Sequence, residues 1–210
     1  MLKTFEQFYA RKEYGQAIGV LKANKDEISP GVWNYNLGTT YAQVRNLPLA
    51  RYHLLQAEKA GFDDQAVVRN LGQVEAELGV EKLEKPYSLT DHLFRVGFFV
   101  SDGIIVTFCL LLLTIGVWLV RRKLSLRPVG AILAAVLVLA GVNVWLVNLP
   151  VSIVVEPQAI LEGPSAIFAT NEELTPGLKI VTRDEGQWKK IIFPSRYAGW
   201  IKNSGLKELD

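Results

Sequence analysis

The sequence has few of the side chains that carry most enzyme chemistry. Cys109 is its only cysteine and lies within an apolar run, which excludes an internal disulfide or a thiolate metal site. The two histidines, His53 and His92, are isolated, and we expect His53 at the surface of a helix. No Gly-rich phosphate loop, Ser-His-Asp arrangement or metal-ligand spacing occurs. We therefore predict a protein that is not an enzyme and uses neither a cofactor nor a metal.

A large excess of either charge is also lacking, with 23 Lys and Arg against 21 Asp and Glu. The net charge of +2 comes from residues 94–150, which contain five basic side chains and one acidic one. The segments before and after them each carry a net charge of −1. This local excess is typical of a membrane topology signal, and it argues against a nucleic-acid-binding face.

Two long apolar runs dominate the middle of the chain. Residues 103–120 contain no charge, and residues 129–149 are interrupted only by two asparagines. Eighteen helical residues extend about 27 Å, close to the ~30 Å hydrocarbon core of a bilayer. We predict transmembrane helices at 94–120 and 128–150. A pair of buried core helices is the alternative, but the flanking segments are too small to cover two such runs.

The loop between these runs predicts their orientation. Residues 121–127 contain four basic side chains, and short loops rich in Lys and Arg stay in the cytoplasm. We therefore expect a hairpin in a bacterial inner membrane with both termini in the periplasm. Residues 1–10 lack the apolar core of a signal peptide. Export then requires the first span to act as a reverse anchor, or a start further upstream, and the alternative topology keeps both termini in the cytoplasm.

Small residues on the two runs predict close helix packing within the membrane. We expect them to contact either the other helix of the hairpin or helices of other subunits. One asparagine is expected to add a hydrogen bond between helices. The residues assigned to this packing are Gly116, Gly130, Ala134, Gly141 and Asn143.

An internal repeat marks the amino-terminal segment. Asn36-Leu37-Gly38 recurs 34 residues later as Asn70-Leu71-Gly72, and a 34-residue period belongs to the tetratricopeptide repeat. Residues 1–79 resemble two such repeats and a capping helix. The parts are assigned as a degenerate repeat, a well-matched repeat, the cap and a polar linker: 3–30, 31–64, 65–79 and 80–93.

The resemblance implies a binding site. Tetratricopeptide stacks bind extended peptides in a concave groove lined by the first helix of each repeat. The side chains expected to face it are Tyr35, Asn36, Thr39, Gln43, Arg69, Asn70 and Gln73. Asn36 and Asn70 can each hydrogen-bond a peptide backbone, because an amide both donates and accepts. The alternative is that these polar side chains are merely solvated.

Residues 151–210 change to short strands separated by Gly, Pro and Asp turns, which suits a small β-barrel. The strands are predicted at 151–155, 159–161, 178–182, 188–193 and 197–201, with Glu172-Glu173 in a loop. The amino-acid sequence of this segment resembles a bacterial SH3 domain at Gly163-Pro164-Ser165, Glu185-Gly-Gln-Trp188 and Ala198-Gly-Trp-Ile201. Trp188 is its candidate ligand-facing aromatic.

The predicted fold class is a multidomain membrane protein: an all-α tetratricopeptide-repeat domain, a two-helix transmembrane hairpin and an all-β SH3-like small barrel. This order resembles the BatE-like family of the aerotolerance (Bat) operon over essentially the whole chain. The resemblance implies partnership with membrane-anchored von Willebrand A-domain Bat proteins and, indirectly, with a MoxR-type AAA+ ATPase. Our first hypothesis is a scaffold subunit of such a complex. The second is an envelope-anchoring module whose SH3-like domain binds peptidoglycan.

Overall fold

The computed structural model describes residues 2–62, 64–92, 94, 102–122 and 126–209. The chain divides into two compact units. One unit combines the two ends of the chain, 1–85 and 150–210, and the other contains 86–149. Helices at the amino terminus, apolar helices in the middle and an antiparallel sheet at the carboxy terminus agree with a mixed, multidomain architecture.

The amino-terminal segment is helical throughout. Its helices are α1 Leu2–Ala10, α2 Tyr14–Ala23, α3 Pro30–Gln43, α4 Leu47–Lys59, α5 Gln65–Leu78 and α6 Val80–Leu83, with a 3₁₀ turn at Lys25–Glu27. Side-chain caps fix the starts of α4 and α5. The Asn46 side chain accepts a hydrogen bond from the Leu49 amide, and Asp64 accepts one from the Ala66 amide, as N-caps do.

The turns α1–α2 and α3–α4 have the same backbone geometry. Lys12 and Arg45, 33 residues apart, both adopt a left-handed conformation with φ of 62° and 61°. The amides that follow them close equivalent bonds: Glu13 to the Phe8 carbonyl (2.9 Å) and Asn46 to the Tyr41 carbonyl (3.0 Å). This is the hydrogen-bond pattern of a Schellman motif. The first four helices thus form two helix pairs that are joined by the same type of turn.

A glycine sets the close crossing of α3 and α4. A Cβ at Gly38 would lie 2.8 Å from Leu54 Cγ and 3.0 Å from the Leu54 amide nitrogen. Ala50 and Leu54 are fully buried beside it. All five long helices contribute to the surrounding core, which contains Phe5, Ala17, Leu21, Leu37, Tyr41, Ala50, Leu54 and Val74.

The carboxy-terminal segment is a seven-stranded antiparallel sheet in the order β3-β2-β6-β5-β4-β1-β7. Its strands are β1 Val151–Val154, β2 Gln158–Leu161, β3 Thr170–Leu174, β4 Lys179–Glu185, β5 Trp188–Phe193, β6 Trp200–Lys202 and β7 Leu206–Glu208. The sequence missed β3 and β7. Glu172 and Glu173, which we expected in a loop, lie in the edge strand β3 with exposed side chains. Charged side chains commonly protect an edge strand from pairing with another chain. Here they also mask the alternation of apolar and polar residues by which a strand is recognised in the sequence.

One cluster of buried side chains comes from six of the strands, from Leu178 just before β4 and from Tyr197 in a 3₁₀ turn before β6, so the sheet curls around its core. Its members are Val154, Ile160, Leu174, Leu178, Ile180, Ile191, Tyr197 and Ile201. The turn before β4 passes Gly177, whose φ is 93°. A Cβ at this glycine would come within 2.8 Å of Leu78, at the end of α5. Helices and sheet therefore meet at this turn.

A buried arginine joins the helices to the sheet. Arg51 of α4 is 2 % exposed, and its guanidinium donates to the Glu75 carboxylate at 2.7 and 3.0 Å and to Glu84 at 3.0 Å. It also donates to the Gly177 carbonyl oxygen at 2.6 Å. The Lys179 amide donates to Glu84 in turn. Burial opposes the charge on Arg51, but the hydrogen bonds and charges of Glu84 and Glu75 outweigh it and raise the arginine pKa.

The other unit contains the apolar helices α7 Asp102–Arg121 and α8 Leu126–Val147, which contact each other. In the described residues, one helix is long and apolar enough to cross a membrane, over Val129–Leu146, and Val106–Arg121 is a shorter apolar helix. Part of the predicted first span, 95–101, and part of the basic loop, 123–125, lie outside the described residues.

Small residues on α7 and α8 have different environments. Gly116 is buried, and a Cβ there would lie 3.9 Å from Ile132 of α8. Gly130, Ala134 and Gly141 are exposed within the chain, so they do not form the contact between the two helices. The side chain of Asn143 lies outside what the structure describes.

Residues 89–92, within the predicted linker 80–93, form a helical turn. Ser88 Oγ accepts a hydrogen bond from the Asp91 amide, and the Asp91 carboxylate accepts from the amides of Ser88 and Tyr87. This reciprocal arrangement is a capping box. A new helix therefore begins directly after Ser88.

Candidate functional site

A groove of about 530 Å³ runs across helices α1, α3 and α5. These are alternate helices of the segment, so their side chains converge on one surface. Six of the seven predicted side chains line it: Tyr35, Asn36, Thr39, Gln43, Asn70 and Gln73. Arg69 is exposed but is not among the lining residues. The sequence missed the lining contributed by Phe5, Tyr9, Ala42, Arg45, Leu47, Val74 and Glu77.

Two asparagines face the groove with hydrogen-bonding capacity to spare. Asn36 is half-buried, and its side-chain amide has no hydrogen-bond partner in the described part of the chain. Asn70 donates to the Tyr35 hydroxyl at 3.4 Å, which leaves its own carbonyl oxygen to accept. Thr39 differs, because its hydroxyl donates to the Tyr35 and Asn36 carbonyls of its own helix at 3.0 Å. The asparagines are thus the lining groups best placed to bond a ligand.

The groove is close to electrically neutral. Arg45 and Glu77 are the charged side chains of its lining, and they form an ion pair with each other. The remaining polar lining consists of four side-chain amides, two tyrosines and a threonine. A ligand carboxylate would need an unpaired cation for a strong charge-assisted bond. The lining therefore suits an uncharged, extended segment better than a free chain terminus.

His53 of α4 is buried, so the expected surface position is wrong. It is 6 % exposed, stacks on Tyr41 with ring centres 5.4 Å apart, and contacts Trp33 and Tyr52 edge-on. Its Nδ1 lies 2.8 Å from the side-chain oxygen of Asn34. Burial, and then the charges of Lys207 and Lys22, lower the His53 pKa to about 3. This neutral ring is a core group between the aromatic side chains.

Trp188 lies on the face of the sheet where aromatic and basic side chains alternate. In the β5–β6 pairing, Trp188 lies opposite Lys202 and Lys190 lies opposite Trp200. The ammonium of Lys202 is 5.9 Å from the Trp188 ring centre, and that of Lys190 is 5.5 Å from the Trp200 ring centre. We call these four residues the Trp–Lys face. The sequence identified one of its four members.

Across the described ranges, no group of three or more His, Cys, Asp and Glu side chains could hold a metal ion. The groove and the Trp–Lys face are the surfaces that contain the residues predicted to bind a ligand. The chain matches no family model, no curated protein and no solved structure.

Proposed function

We propose that this protein is a non-enzymatic scaffold subunit of an inner-membrane Bat-type complex. Its helical segment is a tetratricopeptide-repeat domain and its sheet is an SH3-like domain, both on one side of the membrane. The observation that carries the proposal is the groove, where residues chosen from the repeat pattern share one surface. A von Willebrand A-domain Bat protein is the direct partner, and a MoxR-type AAA+ ATPase is reached through it.

The groove chemistry supports binding of a polypeptide. Asn36 and Asn70 are 34 residues apart, so equivalent positions of successive first helices present two amides to the same ligand. An extended segment offers carbonyl and amide groups at regular intervals along its backbone, which such amides can bond without a charge. The apolar lining, including Phe5, Leu47 and Val74, adds burial for a side chain of the partner.

The compact unit formed by the two ends of the chain supports a hairpin anchor. The bond of Arg51 to Gly177 and that of the Lys179 amide to Glu84 link residues 1–85 to residues 150–210, which supports placing both ends on the same side of a membrane. The chain between them must then cross an even number of times. If the window Val129–Leu146 crosses, the α7 region crosses back.

Co-purification tests this function. The full-length chain is expressed with a von Willebrand A-domain membrane protein of a Bat operon and solubilised in mild detergent. We expect a stable complex that survives gel filtration. Recovery of the chain alone, together with its retention by isolated peptidoglycan, would overturn the scaffold and establish the envelope-anchoring module instead.

A further inference from the structure

The Trp–Lys face carries an uncompensated positive charge. Lys190 and Lys202 form no ion pair with a carboxylate in the described residues, where they lie over tryptophan rings instead. On the neighbouring strand β4, Arg183 is opposite Lys190 in register but is paired with Glu185 at 2.6 Å. The face is therefore basic although residues 151–210 as a whole carry a net charge of −1.

Lys189, between these positions, shows the contrast. It points to the other side of the strand, where it is 4 % exposed and pairs with Glu208 and with Asp184 at 3.2 Å. Its charge is satisfied inside the protein. Lys190 and Lys202 are held outward with their charges available to a ligand.

We propose that the Trp–Lys face binds the headgroups of anionic phospholipids. Lysine ammonium groups attract anionic headgroups, and tryptophan is enriched at the level of the headgroups because its ring is apolar and its N–H is polar. Two of each on one rigid pair of strands combine both preferences. The bound lipid orients the sheet on the membrane surface.

The chain connection keeps the start of β1 close to the end of α8. Residues 148–150 separate the end of α8 from the start of β1. At up to about 3.5 Å per residue, such a connection spans only about 14 Å. The proposal rests on the membrane anchor of the proposed function, because a crossing by α8 would end within that distance of β1.

The cation positions favour lipid over a glycan. A sugar binds tryptophan by stacking on the ring face, but an ammonium lies over the ring of both Trp188 and Trp200. Stacking would displace each lysine and lose its cation–π attraction. A headgroup phosphate can approach both ammonium groups with the rings left in place.

Tryptophan fluorescence in vesicles tests the proposal. The full chain is reconstituted into phosphatidylcholine vesicles with brominated acyl chains. In a second preparation, phosphatidylglycerol replaces a third of the lipid. We expect stronger quenching in the anionic vesicles, and the signal of Trp188→Phe/Trp200→Phe serves as the background from the other tryptophans. Lys190→Gln/Lys202→Gln should lower the docking equilibrium constant about 25-fold, at roughly fivefold per lysine, and so abolish the difference.

Lys3→Gln/Lys82→Gln is the matched control, because it removes the same charge from exposed positions on the helical segment. It should quench as the wild type does. Equal quenching in both lipids, or full quenching of Lys190→Gln/Lys202→Gln, would overturn the proposal. The proposal would also be overturned if Lys190→Gln/Lys202→Gln no longer sedimented with peptidoglycan while its quenching in vesicles was unchanged. If an alkaline wash removes the chain from the vesicles, the membrane anchor of the proposed function is overturned as well. If the chain stays anchored but is not quenched, only the lipid site is overturned.

Discussion

The Arg51 guanidinium donates a 2.6 Å hydrogen bond to the carbonyl oxygen of Gly177, 126 residues further along the chain. The same group binds the carboxylates of Glu75 and Glu84, and it is almost fully buried. A single side chain thus pairs with two acids and closes the contact between the helices and the sheet. This contact makes the two ends of the chain one unit.

Arg51→Met should destabilise that unit strongly. The variant keeps an apolar side chain but leaves Glu75 and Glu84 facing each other without a cation. Removing one partner of a buried ion pair costs about 3–5 kcal/mol, and partial exposure of the two acids places the expected loss near the lower value. Denaturant unfolding of the full chain in detergent micelles measures it.

Arg45→Met is the control for Arg51→Met. Arg45 also pairs with a glutamate, Glu77, but its side chain is 75 % exposed. Exposed pairs contribute little, so we expect a change of about 0.5 kcal/mol or less. Equal losses in the two variants would show that the Arg51 cluster does not hold the unit together.

Gly38 and Gly72 occupy equivalent positions of α3 and α5, yet alanine should have opposite effects at them. Gly38→Ala places a Cβ against the backbone and side chain of Leu54, and overpacking costs about 1–3 kcal/mol. Gly72 is exposed and has no atom within 4 Å of a new Cβ in the described part of the chain. Gly72→Ala should stabilise α5 by up to about 1 kcal/mol. Thermal unfolding of both variants decides, and stabilisation by Gly38→Ala would contradict the close crossing.

His53 should make the fold less stable in acid. The unfolded chain binds a proton near the ordinary histidine pKa of about 6.5, whereas burial holds the folded His53 neutral down to about 3. The unfolded state therefore gains protons first as the pH falls, and this residue should remove about 2 kcal/mol between about pH 7 and about pH 5. His53→Gln should lose that part of the pH dependence. His92→Gln, at an exposed histidine, should retain it, and identical pH profiles for all three chains would refute the buried neutral ring.

The basic loop predicts the sidedness of the protein. With Cys109 replaced by alanine, Ser125→Cys in the loop should resist an impermeant thiol reagent in intact spheroplasts. Ser204→Cys, on the exposed surface of the sheet segment, should react. The reverse pattern would place both ends of the chain in the cytoplasm.

The sequence predicted the features that have a period. The recurring Asn-Leu-Gly motif located the first helices and six of the groove residues, because a helix repeats its faces at fixed spacing. The two missed strands, β3 and β7, are short edge strands with polar outer positions, so they give no alternation to detect. Arg69 lies outside the groove lining because the repeat pattern fixes a helix face but not the edge of a groove.

Arg51 and His53 could not be placed by local pattern. Both are polar residues on α4, where solvent exposure is the usual outcome. Each is buried because distant groups satisfy it: Glu84 and Gly177 for the arginine, and a set of aromatic rings for the histidine. Such partners come together only in the folded chain.

The central claim is that the groove binds a protein segment through Asn36 and Asn70. The most direct test is the dissociation constant between the full chain in nanodiscs and a von Willebrand A-domain Bat protein. Loss of two hydrogen bonds at about 0.5–1.5 kcal/mol each should weaken binding of Asn36→Ala/Asn70→Ala roughly five- to 150-fold, with the melting temperature nearly unchanged. Gln7→Ala/Gln65→Ala removes two exposed amides outside the groove and should bind as the wild type does. Wild-type affinity of a well-folded Asn36→Ala/Asn70→Ala chain would contradict the claim.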